Sequence, residues 1–175
     1  MNPVPLVEQV LDSWRVNNTI TLEMIEQMPD AALSAVPLNS RGRDVAHQLA
    51  HMHTARVGHL IFNGVRNPAL PKYGAKDKPT REELLRAFRA SGEATETFLR
   101  EVLEGKRTLR MFRGEIVRWM SYLISHDAHH RGQILLALKQ NGMRQSEKIA
   151  LNLVWGRWYW EPRQKGQPRR AAASR

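Results

Sequence analysis

Proline placement constrains the fold of this chain more than any other feature. The nine prolines leave three long proline-free stretches, 6–28, 38–67 and 80–161. Because proline breaks the interior of a helix, these stretches are where long helices can form. They are rich in Ala, Leu, Glu, Arg and Gln, which favour helix, and strand-like alternation is scarce. The sequence therefore predicts an all-α protein.

Apolar spacing and helix-end signals predict four long helices. Pro29 ends the first helix, and Gly142 follows the fourth. Thr80 and Glu83 form a capping box at the start of the third. Four such helices imply an antiparallel four-helix bundle, in which the longest connection, 64–78, can be a crossover or a lid. The predicted helices cover 4–28, 43–63, 80–105 and 115–141, followed by a short apolar segment over 146–160.

Length and charge predict one domain with a basic tail. A chain of 175 residues suits a single domain, which we place at 1–160. The net charge is +10, and the last thirteen residues hold five basic residues and no acid. A tail over 161–175 that is rich in Ala, Gly, Pro and Gln is expected to be disordered and solvated, so nucleic acid is not an expected partner.

Composition also excludes several classes of protein. The chain has no cysteine, which excludes a disulfide scaffold, thiolate metal sites and a cysteine nucleophile. Its apolar runs are too short for a transmembrane helix. The N-terminal segment lacks the basic start of a signal peptide, so we predict a cytoplasmic protein with no membrane partner.

The seven histidines fall in two clusters on the second and fourth predicted helices. His126 and His130 are four residues apart, which places both imidazoles on one helix face. His129 points away from that face. On the second helix His47 and His51 form the same kind of pair. Two ligands from one helix and one from the other would make a three-histidine metal site, although hydrogen-bonded polar positions or a metal-free acid–base or phosphate-binding cluster are alternatives.

Two motifs resemble the DinB/YfiT-like family of metal-dependent four-helix-bundle proteins. The stretch HDAHHRGQ at 126–133 is similar to the family's H-x-x-H-H-R-G-Q signature, and RDVAHQLAHMHTAR at 43–56 is similar to its second-helix motif. A weaker match is Ser13-Trp14 with Asn17-Asn18 on the first helix. The resemblance covers about residues 6–160 and leaves the basic tail outside.

The resemblance implies a divalent metal, such as zinc, nickel or iron, held by His51, His126 and His130. His47 could replace His51 or support it from one turn away. Some relatives are S-transferases that use a small thiol such as bacillithiol, mycothiol or glutathione, and relatives are often homodimers. We therefore expect a metal, a low-molecular-weight thiol, a small-molecule substrate and a homodimer.

Residues near the predicted site have two possible roles each. Tyr122 lies one turn before His126 and can donate a proton to substrate or pack as an amphipathic tyrosine. Trp119 is expected in the core. Arg56 and Arg131 are expected in structural ion pairs, with Asp127 as a partner rather than a metal ligand.

Three functions fit these features. The first is a metal-dependent enzyme, either a thiol S-transferase or a hydrolase that activates water. The second is a basic module that binds nucleic acid, for which no helix-turn-helix or zinc-finger pattern is present. The third is a metal-binding bundle without turnover.

Overall fold

Four long helices make up most of the chain. The computed structural model describes residues 4–39, 41–67, 69–146 and 155–159, and these contain no strand. Each helix begins and ends within two residues of its predicted position, which confirms the all-α four-helix bundle. The helices are α1 (Leu6–Gln27), α2 (Val45–Phe62), α3 (Arg81–Leu103) and α4 (Ile116–Gln140).

The helix ends follow from local chemistry. The predicted capping box is present: the Thr80 hydroxyl accepts from the Glu83 N–H, and the Glu83 carboxylate accepts from the Thr80 N–H. Asp44 caps α2 by accepting the His47 N–H at 2.8 Å. Gly142 adopts a φ of +74° just after α4, the left-handed conformation that glycine takes without a Cβ penalty.

The chain direction within the bundle differs between helix pairs. The N-terminal halves of α1 and α4 pack in the same apolar cluster as the C-terminal halves of α2 and α3. Their other halves share a second cluster at the opposite end. Hence α1 and α4 run one way, and α2 and α3 run the other. The long connection 63–80 is the crossover that returns the chain so that α2 and α3 are parallel, while α1–α3 and α2–α4 are antiparallel.

A polar layer separates the two apolar clusters. The clusters pack Leu49, Ile25 and Phe88 at one end and Trp14 and Trp119 at the other, all fully or almost fully buried. Between them lie buried polar side chains from all four helices. This layer consists of Asn17, Thr21, His53, Arg56, Ser91, Thr95, Asp127 and Arg131.

Gly92 lets α3 approach α1 closely at this level. A Cβ added to Gly92 would lie 2.2 Å from the Asn18 Nδ2 atom. The Gly92 carbonyl accepts a hydrogen bond from the Trp14 indole N–H at 2.9 Å. The glycine therefore costs helix propensity but allows the two helices to meet at the polar layer.

The C-terminal region is described only in part. Of the predicted apolar segment 146–160, the structure describes Ser146 and 155–159, and the predicted tail 161–175 lies outside the described residues. Arg157–Tyr159 forms a short helical turn, and Arg157 pairs with Glu23 on α1. Trp155 and Trp158 are 58% and 43% exposed. The homodimer stays a prediction. The domain boundary at residue 160 also stays a prediction.

None of the described helices combines the length and apolar character needed to cross a bilayer.

Candidate metal centre

Three histidines from α2 and α4 converge beside the polar layer. One ring nitrogen from each of His51, His126 and His130 can be chosen so that all three lie within 4.8 Å of one another. The ring centroids are 5.3 Å apart for His51 and His126, 5.0 Å for His51 and His130, and 4.6 Å for His126 and His130. All three side chains are half-buried. The geometry brings together the three residues predicted as ligands.

The chemistry of these side chains fits a divalent cation. The Nδ1 atoms of His126 and His130 are buried, and neither has a hydrogen-bond partner in the part of the chain that the structure describes. An unpartnered buried polar atom is costly, and a metal bond would satisfy it. Neutral imidazoles suit zinc, nickel, copper and iron. The three residues could therefore hold a metal ion.

Burial keeps the three imidazoles neutral. It is the main cause that lowers the pKa of each below 6.5, and the neighbouring imidazoles add to the effect. The pKa of His130 falls furthest, to about 4. Arg43 also lowers the pKa of His51 by its positive charge. A metal binds only the neutral form of imidazole, so the site does not need to release protons near neutral pH to bind an ion.

His47 and His129 stand outside the convergent group. The His47 Nδ1 atom lies 2.6 Å from the Asp44 carboxylate, so the residue is held by the cap of α2. His129 is exposed and only its ring edge meets His130, with centroids 5.2 Å apart. Among the described residues, the group that could hold a metal includes neither.

A buried hydrogen-bonded network backs the three histidines. Arg56 donates to the Asp127 carboxylate at 2.5 Å and to the Asn18 amide oxygen at 2.7 Å. Asn17 also donates to Asp127, at 2.7 Å. The Arg56 guanidinium lies over the rings of Trp14 and Phe88, 4.8 Å from each ring centroid. The ion pair predicted for Arg56 and Asp127 is confirmed.

Arg131 makes a different contact from the one predicted. Its guanidinium donates to the Asn17 side-chain oxygen and to the Thr21 hydroxyl, both at 2.9 Å, and forms no ion pair with a described carboxylate. Burial lowers its pKa to about 10, although the charge of Asp127 opposes that shift. Since Asp127 and Arg131 directly follow the two candidate ligands on α4, the network fixes the rotation of α4 against α1 and α2.

An aromatic row extends from His126 toward the solvent. The Tyr122 ring lies parallel to the His59 ring, with centroids 5.4 Å apart, and stacks on His126 at 6.0 Å. The buried Trp119 donates its indole N–H to the His59 Nδ1 atom at 2.9 Å. Phe112 closes the row at 5.2 Å from Tyr122. Tyr122 therefore stands next to the candidate centre, where its predicted catalytic role stays a prediction, and the expected core position of Trp119 is confirmed.

Two clefts flank the convergent histidines. The first, of about 250 Å³, includes His51, Thr54 and Tyr73 in its wall, so the crossover connection also borders the site. The second, of about 510 Å³, includes His130 and Gln133. We name them the His51 cleft and the His130 cleft. Each gives a small molecule a route to the candidate centre.

Sequence reasoning did not identify several residues around the site. Arg43, Gln48 and Thr54 line the clefts, and nothing in their local sequence marks them as polar positions facing a cavity. The sequence marks His59 only as a member of the histidine cluster on the second helix. Its place beside Tyr122 depends on how α2 packs on α4, which spacing along one helix does not show.

The fold and the three-histidine group define a helical bundle that could bind a metal ion between α2 and α4. The profile of the DinB family matches residues 1–162. The chain belongs to the DinB family. No curated protein and no solved structure shows significant similarity to it.

Proposed function

We propose that the protein is a metal-dependent enzyme that transfers a small thiol to an electrophilic substrate. The observation that carries the proposal is the convergence of His51, His126 and His130 between two open clefts. Three protein ligands leave a coordination position for a further molecule. A divalent cation such as zinc, nickel or iron would stabilise the thiolate form of a thiol bound there, by direct charge.

The proposed reaction forms a carbon–sulfur bond. The thiol sulfur attacks an electrophilic carbon, a leaving group departs with its bonding electron pair, and the thiol proton passes to the solvent. The chain's own residues hold the reactants: the imidazoles fix the thiol, and the clefts seat its remainder and the electrophile. The Tyr122 hydroxyl is the group next to His126 that could return a proton to the leaving group.

Family membership supports the metal site more directly than the reaction. The DinB profile covers all four helices, and some members of the family that the sequence resembles use a small thiol. The clefts, of about 250 and 510 Å³, are also of a size that suits a small molecule. These points favour a small-molecule reaction over a binding role for nucleic acid.

Cobalt substitution tests the proposal. Protein loaded with Co²⁺ is titrated with 2-mercaptoethanol, and a near-ultraviolet sulfur-to-cobalt band is expected to appear with a stoichiometry of about one. His130→Ala should abolish the band, whereas His129→Ala, one residue away, should retain it. The loaded protein should then accelerate coupling of the thiol to a chloronitroarene, with release of chloride.

The competing functions give different results in the same assay. If the loaded protein shows no sulfur-to-cobalt band and no coupling, the transferase proposal is wrong. Thiol-independent hydrolysis of a nitrophenyl ester that depends on His130 would favour the hydrolase alternative. A protein that binds cobalt and shows neither reaction would be a metal-binding bundle without these activities.

A further inference from the structure

Arg43 lies between the two clefts that flank the candidate metal centre. It lines the His51 cleft together with His51 and Thr54, and it lines the His130 cleft together with His130 and Gln48. Arg43 therefore borders both clefts that lead toward the centre. This shared position makes Arg43 a candidate for recognising the part of a ligand that does not touch the metal.

The backbone of Arg43 is held in place by the start of α2. Asp44 caps the helix, and the Gln48 side-chain amide donates to the Arg43 carbonyl at 3.2 Å. The Arg43 side chain itself is exposed, and no described carboxylate forms an ion pair with it. A fixed backbone with a guanidinium that pairs with no described acid presents a planar cation with five N–H donors to a ligand.

The wall of each cleft also includes a residue with a buried polar atom that lacks a partner among the described residues. In the His130 cleft it is the Gln48 amide oxygen, on a side chain that is only 5% exposed. In the His51 cleft it is the Thr54 hydroxyl. Both residues therefore add polar side chains to the cleft walls, while these two oxygen atoms themselves are covered from solvent.

We propose that Arg43 binds the carboxylate of a small molecule held at the three-histidine centre. The inference rests on the proposed metal site and names the substrate class that the site prefers, a carboxylate-bearing thiol or electrophile. A guanidinium and a carboxylate can form two parallel N–H···O bonds, which fix orientation as well as charge. One end of the ligand would then be held by the metal and the other by Arg43.

The test uses matched pairs of probes on Co²⁺-loaded protein. The first pair is 3-mercaptopropionate and its neutral amide, 3-mercaptopropionamide, which differ in charge at one end. The second pair is the monohydroxamate of succinate and the neutral propionohydroxamate, which bind metal without thiol chemistry. Affinities are measured from changes in the cobalt absorption spectrum, so the readout does not depend on turnover.

We expect the wild-type protein to bind the charged member of each pair about tenfold more tightly, and 0.5 M salt to reduce this preference. Arg43→Gln should remove the preference and leave the affinity for the neutral members unchanged. Arg41→Gln is the control. It removes the same charge two residues earlier, at a residue that lines neither cleft, and it should keep the preference.

The outcomes separate this inference from the proposed function. If thiols give no cobalt band while the hydroxamate pair shows an Arg43-dependent preference, the thiol reaction is wrong and the carboxylate subsite stands. If thiols bind without a carboxylate preference, or with one that persists in Arg43→Gln, the subsite is wrong and the thiol reaction is unaffected. Failure of all four probes to bind would overturn both.

Discussion

The Asp127 carboxylate accepts a hydrogen bond from the Arg56 guanidinium at 2.5 Å, and neither side chain has any exposed surface. Asp127 directly follows His126, and Arg56 lies on the same helix as His51. The ion pair therefore ties the two helices that supply the candidate metal ligands. Because Asn17 also bonds to Asp127, α1 is held to the same point. The position of the ligands depends on this buried carboxylate.

Replacing the carboxylate should destabilise the bundle strongly. Asp127→Asn leaves the buried Arg56 without its counter-charge, and removing one partner of a buried pair costs about 3–5 kcal/mol. Urea unfolding of the metal-free protein measures the loss. The matched control is Glu115→Gln, which breaks an exposed pair with Arg118 and should cost less than about 1 kcal/mol. Equal losses in the two variants would show that the buried pair does not organise the bundle.

Metal content should depend on the three convergent histidines alone. Purified wild-type protein is expected to retain about one divalent ion per chain, and His51→Ala, His126→Ala and His130→Ala should each reduce this to a small fraction, because two imidazoles hold the ion weakly. Elemental analysis after dialysis is the measurement.

Two neighbouring histidines provide the controls for metal content. His129→Ala should retain the ion, since its ring points outside the group. His47→Ala should retain it too, because no His47 ring nitrogen belongs to the convergent group. Loss of the ion from His47→Ala with retention in His51→Ala would mean that His47 is the ligand from α2.

The parts of this structure that sequence predicts are those set by local spacing. Helix ends follow from Pro29, the Thr80 capping box and Gly142, and all of these act within one or two turns. The pairing of His126 with His130 follows from four-residue spacing on one helix. The choice of His51 over His47 follows from the family resemblance, and the structure places a ring nitrogen of His51, but none of His47, within the convergent group.

The parts that sequence did not predict depend on contacts between helices. The parallel direction of α2 and α3 is set by the crossover, whose length permits either direction. Arg131 was expected in an ion pair, but α1 presents Asn17 and Thr21 to it, and no periodicity shows which polar residues of α1 face α4. The position of Arg43 between two clefts likewise appears only after α2 and α4 pack together.

Two glycine positions should respond in opposite directions to the same substitution. In Gly92→Ala the new Cβ would displace Asn18, which accepts a hydrogen bond from the buried Arg56. We expect a loss of about 1–3 kcal/mol, because the overpacking outweighs the gain in helix propensity. Gly132→Ala on α4 is the control: no atom lies within 4 Å of its added Cβ, so it should gain up to about 1 kcal/mol. Urea unfolding measures both, and stabilisation by Gly92→Ala would contradict the close approach of α1 and α3.

Acid should destabilise the metal-free protein through its buried histidines. Burial is the main cause that lowers the pKa of His53 below 6.5, and its ring is held between the Ser91 hydroxyl at 3.1 Å and the Pro71 carbonyl at 2.8 Å. The unfolded chain therefore takes up a proton more readily than the folded one, and stability is lost as the pH falls below about 6.5. Unfolding free energies at pH 8 and pH 5 should differ less in His53→Gln than in wild type. Parallel losses in the two proteins would show that His53 does not contribute.

The Tyr122 hydroxyl can be separated from the Tyr122 ring. The ring packs between His59 and His126, so Tyr122→Phe keeps this stacking and should leave metal content and thiol affinity unchanged. If the hydroxyl returns a proton to the leaving group, the coupling rate should fall about a hundredfold for an electrophile with a poor leaving group. The rate with chloride as the leaving group should be unaffected, because chloride departs without a proton. An unchanged rate for the poor leaving group, or an equal fall for both electrophiles, would show that the hydroxyl does not donate this proton. The thiol affinity from the cobalt spectrum checks that the centre itself is unaltered in the variant.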